Sequence, residues 1–295
     1  MSTKFECMQP QIAEGMHACA RVSTCRATRD RREKQATLSR RRVVLGLPAV
    51  LLGVGGGIGS TRVVDAAEWT YDDVGEWPSL CKEGKQQSPV ALRVPSGRER
   101  QQSSSAGRKV AVTGRAVEVQ VQVRSDGCPQ LNVVEPGALW VEVDGVKHEL
   151  RQIHWHAPAE HRVGGRIADL ETHFVCSPPL VIGVMLNAST HKHGDDRVLG
   201  LALDAINHET TNDRKLFVSP DDVVGLTPHD SLLAYTGSLT TPPCSEGVMW
   251  LVDTIPRTVG VEQVASFKAR RQSASNARPL QPLGTRRVTA LEIQS

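Results

Sequence analysis

Two histidines with one residue between them, His154 and His156, are followed by Glu160-His161 and then by Glu171-Thr172-His173. On an extended strand alternate side chains share a face, so His154 and His156 point the same way with Cα atoms about 7 Å apart. If Leu170 to Val175 pairs as a neighbouring strand roughly 4.8 Å away, its alternation puts Glu171, His173 and Val175 on one face. His173 can then reach the same ion as the other two imidazoles. Three nitrogen ligands leave a fourth position open, which is how a catalytic zinc is held with an exchangeable water; structural zinc is closed by four residues and is rich in cysteine. The spacing therefore predicts a metal that activates water.

The elements around these residues decide whether the spacing means anything. His191-Lys192-His193 has the same spacing but lies in Ala-Ser-Thr-His-Lys-His-Gly-Asp-Asp, a polar stretch with the composition of a loop, and reads as solvated surface. By contrast, Leu150, Gln152, His154 and His156 alternate with Arg151, Ile153 and Trp155, as a strand requires. Glu160 and Glu171 supply carboxylates of the kind that orient a ligating imidazole through its other ring nitrogen. Elsewhere the pattern is mainly strand. Val117 to Val123 and Leu139 to Val143 alternate, the latter ending at an Asp144-Gly145 turn, and Val181 to Leu186 is a continuous apolar run suited to a buried strand. Val261 to Arg270 fits a short helix with Val264 and Phe267 inward, and Arg98 to Lys109 reads as a polar, serine-rich loop.

Charge divides the chain in two. Residues 1–67 carry eleven Lys and Arg against five Asp and Glu, a net of +6, which leaves 24 against 27, a net of −3, for residues 68–295. A slightly acidic body with no basic stripe interleaved with aromatics does not suggest nucleic-acid binding. Ser39-Arg40-Arg41-Arg42 precedes the apolar run Val43 to Gly59, and Val64-Asp65-Ala66-Ala67 offers small residues for cleavage. The run is too short and too broken by Pro48 and glycines to span a bilayer, and fits a twin-arginine export signal. With the Arg-, Ser- and Thr-containing segment upstream, residues 1–67 are expected to be a bipartite targeting leader directed to the thylakoid lumen, with the bacterial periplasm as the alternative. Residues 68–295 are expected to form a single domain. Four of the seven cysteines, Cys81, Cys128, Cys176 and Cys244, lie in this body.

Taken together, Gln152-Ile153-His154-Trp155-His156, Glu160-His161, Glu171-Thr172-His173-Phe174-Val175 and Ser238-Leu239-Thr240-Thr241-Pro242-Pro243-Cys244 resemble the α-class carbonic anhydrases. Trp69-Thr70-Tyr71, Trp77, Gln87-Ser88-Pro89-Val90, the strand ending in Trp250 and Asn276-Ala277-Arg278-Pro279-Leu280-Gln281-Pro282-Leu283 stand in the family's order. The resemblance implies a mainly β fold: a central, largely antiparallel, twisted ten-stranded sheet with a few short surface helices. It implies zinc-dependent, reversible hydration of carbon dioxide to bicarbonate and a proton, with a small-molecule substrate and no stable membrane span in the mature chain. Its alternative is a module that has kept the fold for binding or assembly without catalysis, which the loss of a zinc histidine usually marks.

Carried over at matching positions, the resemblance makes His154, His156 and His173 the zinc ligands. Gln152 and Glu171 would hydrogen-bond the first and third, and the backbone near Asn276 the second. Thr240 would take the hydrogen bond of the metal-activated water and pass its own proton toward an ionised Glu160. Val175, Val181, Leu239, Val248 and Trp250 would form the apolar wall for carbon dioxide, with Thr241 at the mouth of the pocket. His161 and Tyr235 match scaffolding positions. Cys81 and Cys244 match the disulfide of exported members, while the pairing of Cys128 and Cys176 stays open. One departure concerns proton export. Where fast members place a relay histidine after a glycine, Val112-Thr113-Gly114-Arg115-Ala116-Val117 places Arg115, which stays protonated and cannot accept and release a proton in turn. Proton transfer is then expected to limit turnover, unless His191, His193 or His229 acts as the relay.

Overall fold

Alternating valines between Glu118, Gln120 and Gln122 make Val117–Val123 a strand with one face turned inward, and the computed structural model carries that pattern through a large mixed sheet. The structure describes residues 69–96, 99, 109–191, 194–207, 215–223 and 231–293. The proposed leader, most of the Arg98 to Lys109 stretch, His193 and His229 lie outside the described residues. Those described belong to one unit, Val63–Ser295.

The strands are β1 (Ala91–Leu92), β2 (Lys109–Gly114), β3 (Val117–Val123), β4 (Pro129–Val133), β5 (Leu139–Val143), β6 (Val146–His156), β7 (Arg162–Val163), β8 (Leu170–Ser177), β9 (Leu180–Ser189), β10 (Leu216–Val218), β11 (Ser231–Ser238), β12 (Glu246–Asp253), β13 (Arg257–Gly260) and β14 (Thr289–Ile293). Twelve of them form one sheet, in the order β10-β3-β4-β6-β5-β2-β14-β11-β12-β9-β13, with β8 between β6 and β9. The sheet is antiparallel except where β9 meets β12 and β13 and where β14 meets β2. It exceeds the expected ten strands by two. The short β10 and β13 carry little pattern of their own and are held by their neighbours β3 and β9.

Among the described residues helices are few and include α1 (Ser79–Glu83), α2 (Arg197–Asn207), α3 (Pro220–Val223) and α4 (Val261–Arg270). In α4, Val264 and Phe267 are buried, as the spacing predicts. Helix α2 is not anticipated above. It buries Val198, Leu199, Ala202 and Leu203, and Asp196 caps it by accepting the Leu199 N–H at 2.7 Å.

Strand β6 positions the site. Its odd-numbered residues Ile153 and Trp155 are fully buried in the main core, where each large side chain contributes about 1.5–3 kcal/mol by leaving water. That anchoring fixes the opposite face, which carries Gln152, His154 and His156. β8 pairs with it so that His154 stands opposite His173, His156 opposite Glu171, and Gln152 opposite Val175. A register slip by one residue would send every histidine to the wrong side.

Candidate metal centre

The three expected ligands meet. The His154, His156 and His173 rings lie with centroids 4.9, 5.1 and 4.5 Å apart, and one nitrogen from each falls within 4.8 Å of the others. All three are buried. Each ring is held by its other nitrogen: His154 Nδ1 by Gln152 Oε1 at 2.8 Å, His156 Nδ1 by the Asn276 carbonyl at 2.6 Å, and His173 Nε2 by Glu171 Oε1 at 2.9 Å. These acceptors put the ring proton on the bonded nitrogen and leave a lone pair on the one facing the centre. His156 Nε2 is buried with no hydrogen-bond partner among the described residues. Such an orphaned acceptor is costly unless something else fills its lone pair. Burial, the largest cause, also holds all three imidazoles below their ordinary pKa, the neutral form a metal needs.

Glu171 organises the shell behind the rings. Its Oε2 accepts the backbone N–H groups of Glu160 at 2.8 Å and His161 at 2.7 Å, and its Oε1 also accepts His161 Nδ1 at 2.7 Å. From there hydrogen bonds run to the Tyr235 hydroxyl (2.7 Å) and on to Ser88 Oγ (2.8 Å). The directions agree if Ser88 donates to Tyr235, Tyr235 to His161 Nε2, and His161 Nδ1 to Glu171. His161, Glu171 and His173 also stand close enough to hold a metal. Their nitrogens and oxygens already satisfy one another, so the group reads as scaffold.

Glu160 is fully buried, and its Oε1 accepts the Arg278 N–H at 2.8 Å. Its Oε2 is buried without a well-formed hydrogen bond, and among neighbouring side chains the Thr240 hydroxyl and the Arg124 charge lower its pKa. Burial dominates and pushes the carboxyl up to about 8. Asn276 ties the same region together: its Oδ1 accepts the Ala157 N–H at 2.8 Å, and its Nδ2 donates to the Trp155 carbonyl at 3.0 Å.

An apolar wall adjoins the rings. Val175, Val181, Trp250 and Tyr235 succeed one another across β8, β9, β12 and β11, and Val248 and Leu239 pack in the same cluster. The Trp250 ring lies 4.9 Å from that of His173, and its Nε1 donates to the Ser238 carbonyl. The segment that presents Thr240 and Thr241 turns back on itself, with Leu239 N–H bonded to Ser245 and Cys244 N–H to Thr241. Cys244 is tied to Cys81 by a disulfide. Cys128 and Cys176 are free and buried.

A family model described as Eukaryotic-type carbonic anhydrase matches residues 65–292. The chain belongs to this family. It is 30% identical to a carbonic anhydrase of Pectobacterium atrosepticum over 241 residues, covering 77% of this chain and 92% of the relative. Among solved structures, carbonic anhydrase Cah3 from Chlamydomonas reinhardtii in complex with acetazolamide matches with a TM-score of 0.57 at 26% identity, covering 76% of this chain and 99% of that one. The Photobacterium profundum α-carbonic anhydrase matches with a TM-score of 0.55 at 28% identity, covering 76% of this chain and 100% of that one.

Within this carbonic anhydrase fold the pairing register sets what lies beside the histidines. Pairing of β3 with β4 and of β4 with β6 brings Gln122, through Gln130, level with His154. Arg115 is exposed and precedes the other end of β3. The turn that reaches the histidines is Arg124-Ser125-Asp126-Gly127-Cys128, between β3 and β4. Gly127 makes it possible: its φ is +83°, and a Cβ there would stand 2.2 Å from the Arg270 carbonyl oxygen. Beside it lie amides that sequence reasoning passed over. Gln130 Nε2 donates to Asn132 Oδ1, and Asn132 Nδ2 to Gln122 Oε1. Only the register reveals them, because Gln and Asn on a strand look like ordinary surface. No helix among the described residues is long and apolar enough to cross a membrane.

Proposed function

We propose that this chain is a catalytically active carbonic anhydrase that holds zinc through His154, His156 and His173 and interconverts carbon dioxide with bicarbonate and a proton. The observation that carries the reading is the convergence of three buried imidazole nitrogens, each made available by a hydrogen bond on the other side of its ring. Zinc, when bound, supplies a Lewis acid that makes water nucleophilic near neutral pH, the behaviour for which carbonic anhydrases are the standard example.

The chain's own residues do the rest. Gln152, Glu171 and the Asn276 carbonyl fix the ring orientations. Glu160 takes the Thr240 proton on an oxygen that otherwise lacks a partner, leaving the Thr240 oxygen to accept a hydrogen bond from the reacting water and so fix its orientation. Positive charge in the site favours the ionised carboxylate this requires, against the desolvation that raises its pKa. Val175, Val181, Leu239, Val248 and Trp250 offer carbon dioxide an apolar seat, which an uncharged linear molecule needs more than hydrogen bonds. Thr241 borders the same turn. All three histidines, Glu160 and Thr240 are present, which supports catalysis over a binding or assembly role.

The reading extends to maturation and place. Residues 1–67 act as a targeting leader and 68–295 as the catalytic domain. The Cys81–Cys244 disulfide supports an oxidising compartment, and with the leader it favours the thylakoid lumen, the periplasm being the alternative.

Carbon dioxide hydration by the purified chain, with zinc content measured beside it, tests the function. Activity with one zinc per chain is expected, and both should be lost together in His173→Ala. Equal activity in that variant would overturn the proposal.

A further inference from the structure

At the metal-facing end of β3, register and hydrogen bonding place a cation beside the histidines. Across β6, β4 and β3, His154 stands beside Gln130, and Gln130 beside Gln122. Two residues further come His156 on β6 and, just beyond the ends of β4 and β3, Cys128 and Arg124, and the Arg124 N–H bonds the Cys128 carbonyl at 2.9 Å. The Arg124 side chain is nearly buried, at 14% exposure. Its Nη2 lies 3.4 Å from the Tyr71 hydroxyl, and the Tyr71 ring packs edge-on against His156 with centroids 6.5 Å apart.

The counter-ion is Asp126, whose Oδ2 is 3.3 Å from the same nitrogen. That carboxylate is shared out within the turn: Oδ1 accepts the Cys128 N–H at 3.0 Å and Oδ2 accepts the Asn276 amide at 3.3 Å. The carboxylate is thus turned to the Cys128 N–H and the Asn276 amide, while the guanidinium meets the Tyr71 hydroxyl, whose ring packs on His156. A carbon dioxide molecule carries no charge for the guanidinium to attract, but bicarbonate does.

We propose that Arg124 is an anion-holding residue of this site, binding bicarbonate and competing monovalent anions next to the metal centre and leaving carbon dioxide unaffected. The inference rests on the proposed carbonic anhydrase function. Tyr71 is the positioning residue, since its hydroxyl meets the guanidinium and its ring is fixed on His156. Because bicarbonate is the product of hydration, the same residue retards its release and sensitises the enzyme to small anions.

Calorimetric titration of the zinc-loaded chain with thiocyanate and with bicarbonate at pH 8, and with neutral imidazole as control, reads this without turnover. Arg124→Gln should raise both anion dissociation constants by about tenfold, the scale of one partly buried charge, and leave that for imidazole unchanged. Arg124→Lys should keep most of the anion affinity. Removing Arg124 alone strands the buried Asp126, so the pair Arg124→Gln with Asp126→Asn supplies a second, neutral version that should behave like Arg124→Gln. Anion constants unchanged in a folded, zinc-replete variant, or a parallel loss for imidazole, would overturn the assignment. Zinc content and hydration by the unsubstituted chain report separately on the function it rests on.

Discussion

Gly183 leaves the space that Glu171 occupies: a Cβ on this residue would stand 2.6 Å from Glu171 Oε1, the oxygen that holds both His173 and His161. Gly183 is paired with His173 across β8 and β9, so the glycine sits directly behind a proposed ligand.

Gly183→Ala should therefore displace the carboxylate and loosen His173 without touching any ligand. Loss of such an outer contact typically costs 10–100-fold in metal affinity, on the order of what Glu171→Gln should also show. Competition for zinc against a chromophoric chelator measures it. Wild-type affinity in both variants would mean that Glu171 does not orient His173.

Turnover should be limited by proton export, because the turn reaching the histidines, residues 124–128, contains no histidine. Added imidazole should raise kcat, and Ser125→His, an exposed position in that turn, should raise it roughly tenfold at low buffer, below the usual contribution of an optimally placed acid–base group. The ratio kcat/KM should not move. A kcat independent of buffer concentration would refute the idea.

Reducing the Cys81–Cys244 bridge should destabilise the fold strongly, since it closes a sequence separation of 163 residues. Chain-entropy reasoning puts the ceiling at about 5 kcal/mol. Urea midpoints with and without reductant, and for Cys81→Ser with Cys244→Ser, give the value. A loss below about 1 kcal/mol would show that the bridge constrains little.

The metal-free chain should be most stable near pH 6.5. The three ligand histidines have folded pKa values below the ordinary one, so the unfolded chain binds more protons as pH falls below about 6.5, and stability is lost there. Glu160 works the other way. With its pKa raised from 4.5 to about 8, it favours the fold while protonated, and that contribution is lost as pH rises toward 8. Between pH 6.5 and 8 the slope should be about −1.4 kcal/mol per pH unit. Glu160→Gln should flatten that limb and leave the acid limb intact, as chelated protein in urea titrations would reveal.

The candidate metal centre was legible because a strand's two-residue period converts His154-x-His156 and Glu171-x-His173 into one shared face. Alternation likewise revealed β3 and β5, and a 3.6-residue period revealed α4. Glycine turns occur both before and after β3, at Gly114 and Gly127, and only the pairing register says that the Gly127 end is level with His154. Arg124 carried no local signal at all. Its partner Tyr71 lies 53 residues away, and a charged residue after an alternating strand reads as an ordinary solvated turn. Helix α2 could have been found, since Val198, Leu199, Ala202 and Leu203 line one side behind the capping Asp196.

The bonds that fix the centre span most of the sequence. Asn276 reaches back 119 residues to Ala157, Ser238 150 residues to Ser88, and Arg278 190 residues to the Ser88 carbonyl. Short fragments bearing the histidines lack these supports, so the arrangement of the three rings depends on segments as distant as Asn276 and Arg278. Uptake of the proposed zinc should thus double as a readout of completed assembly.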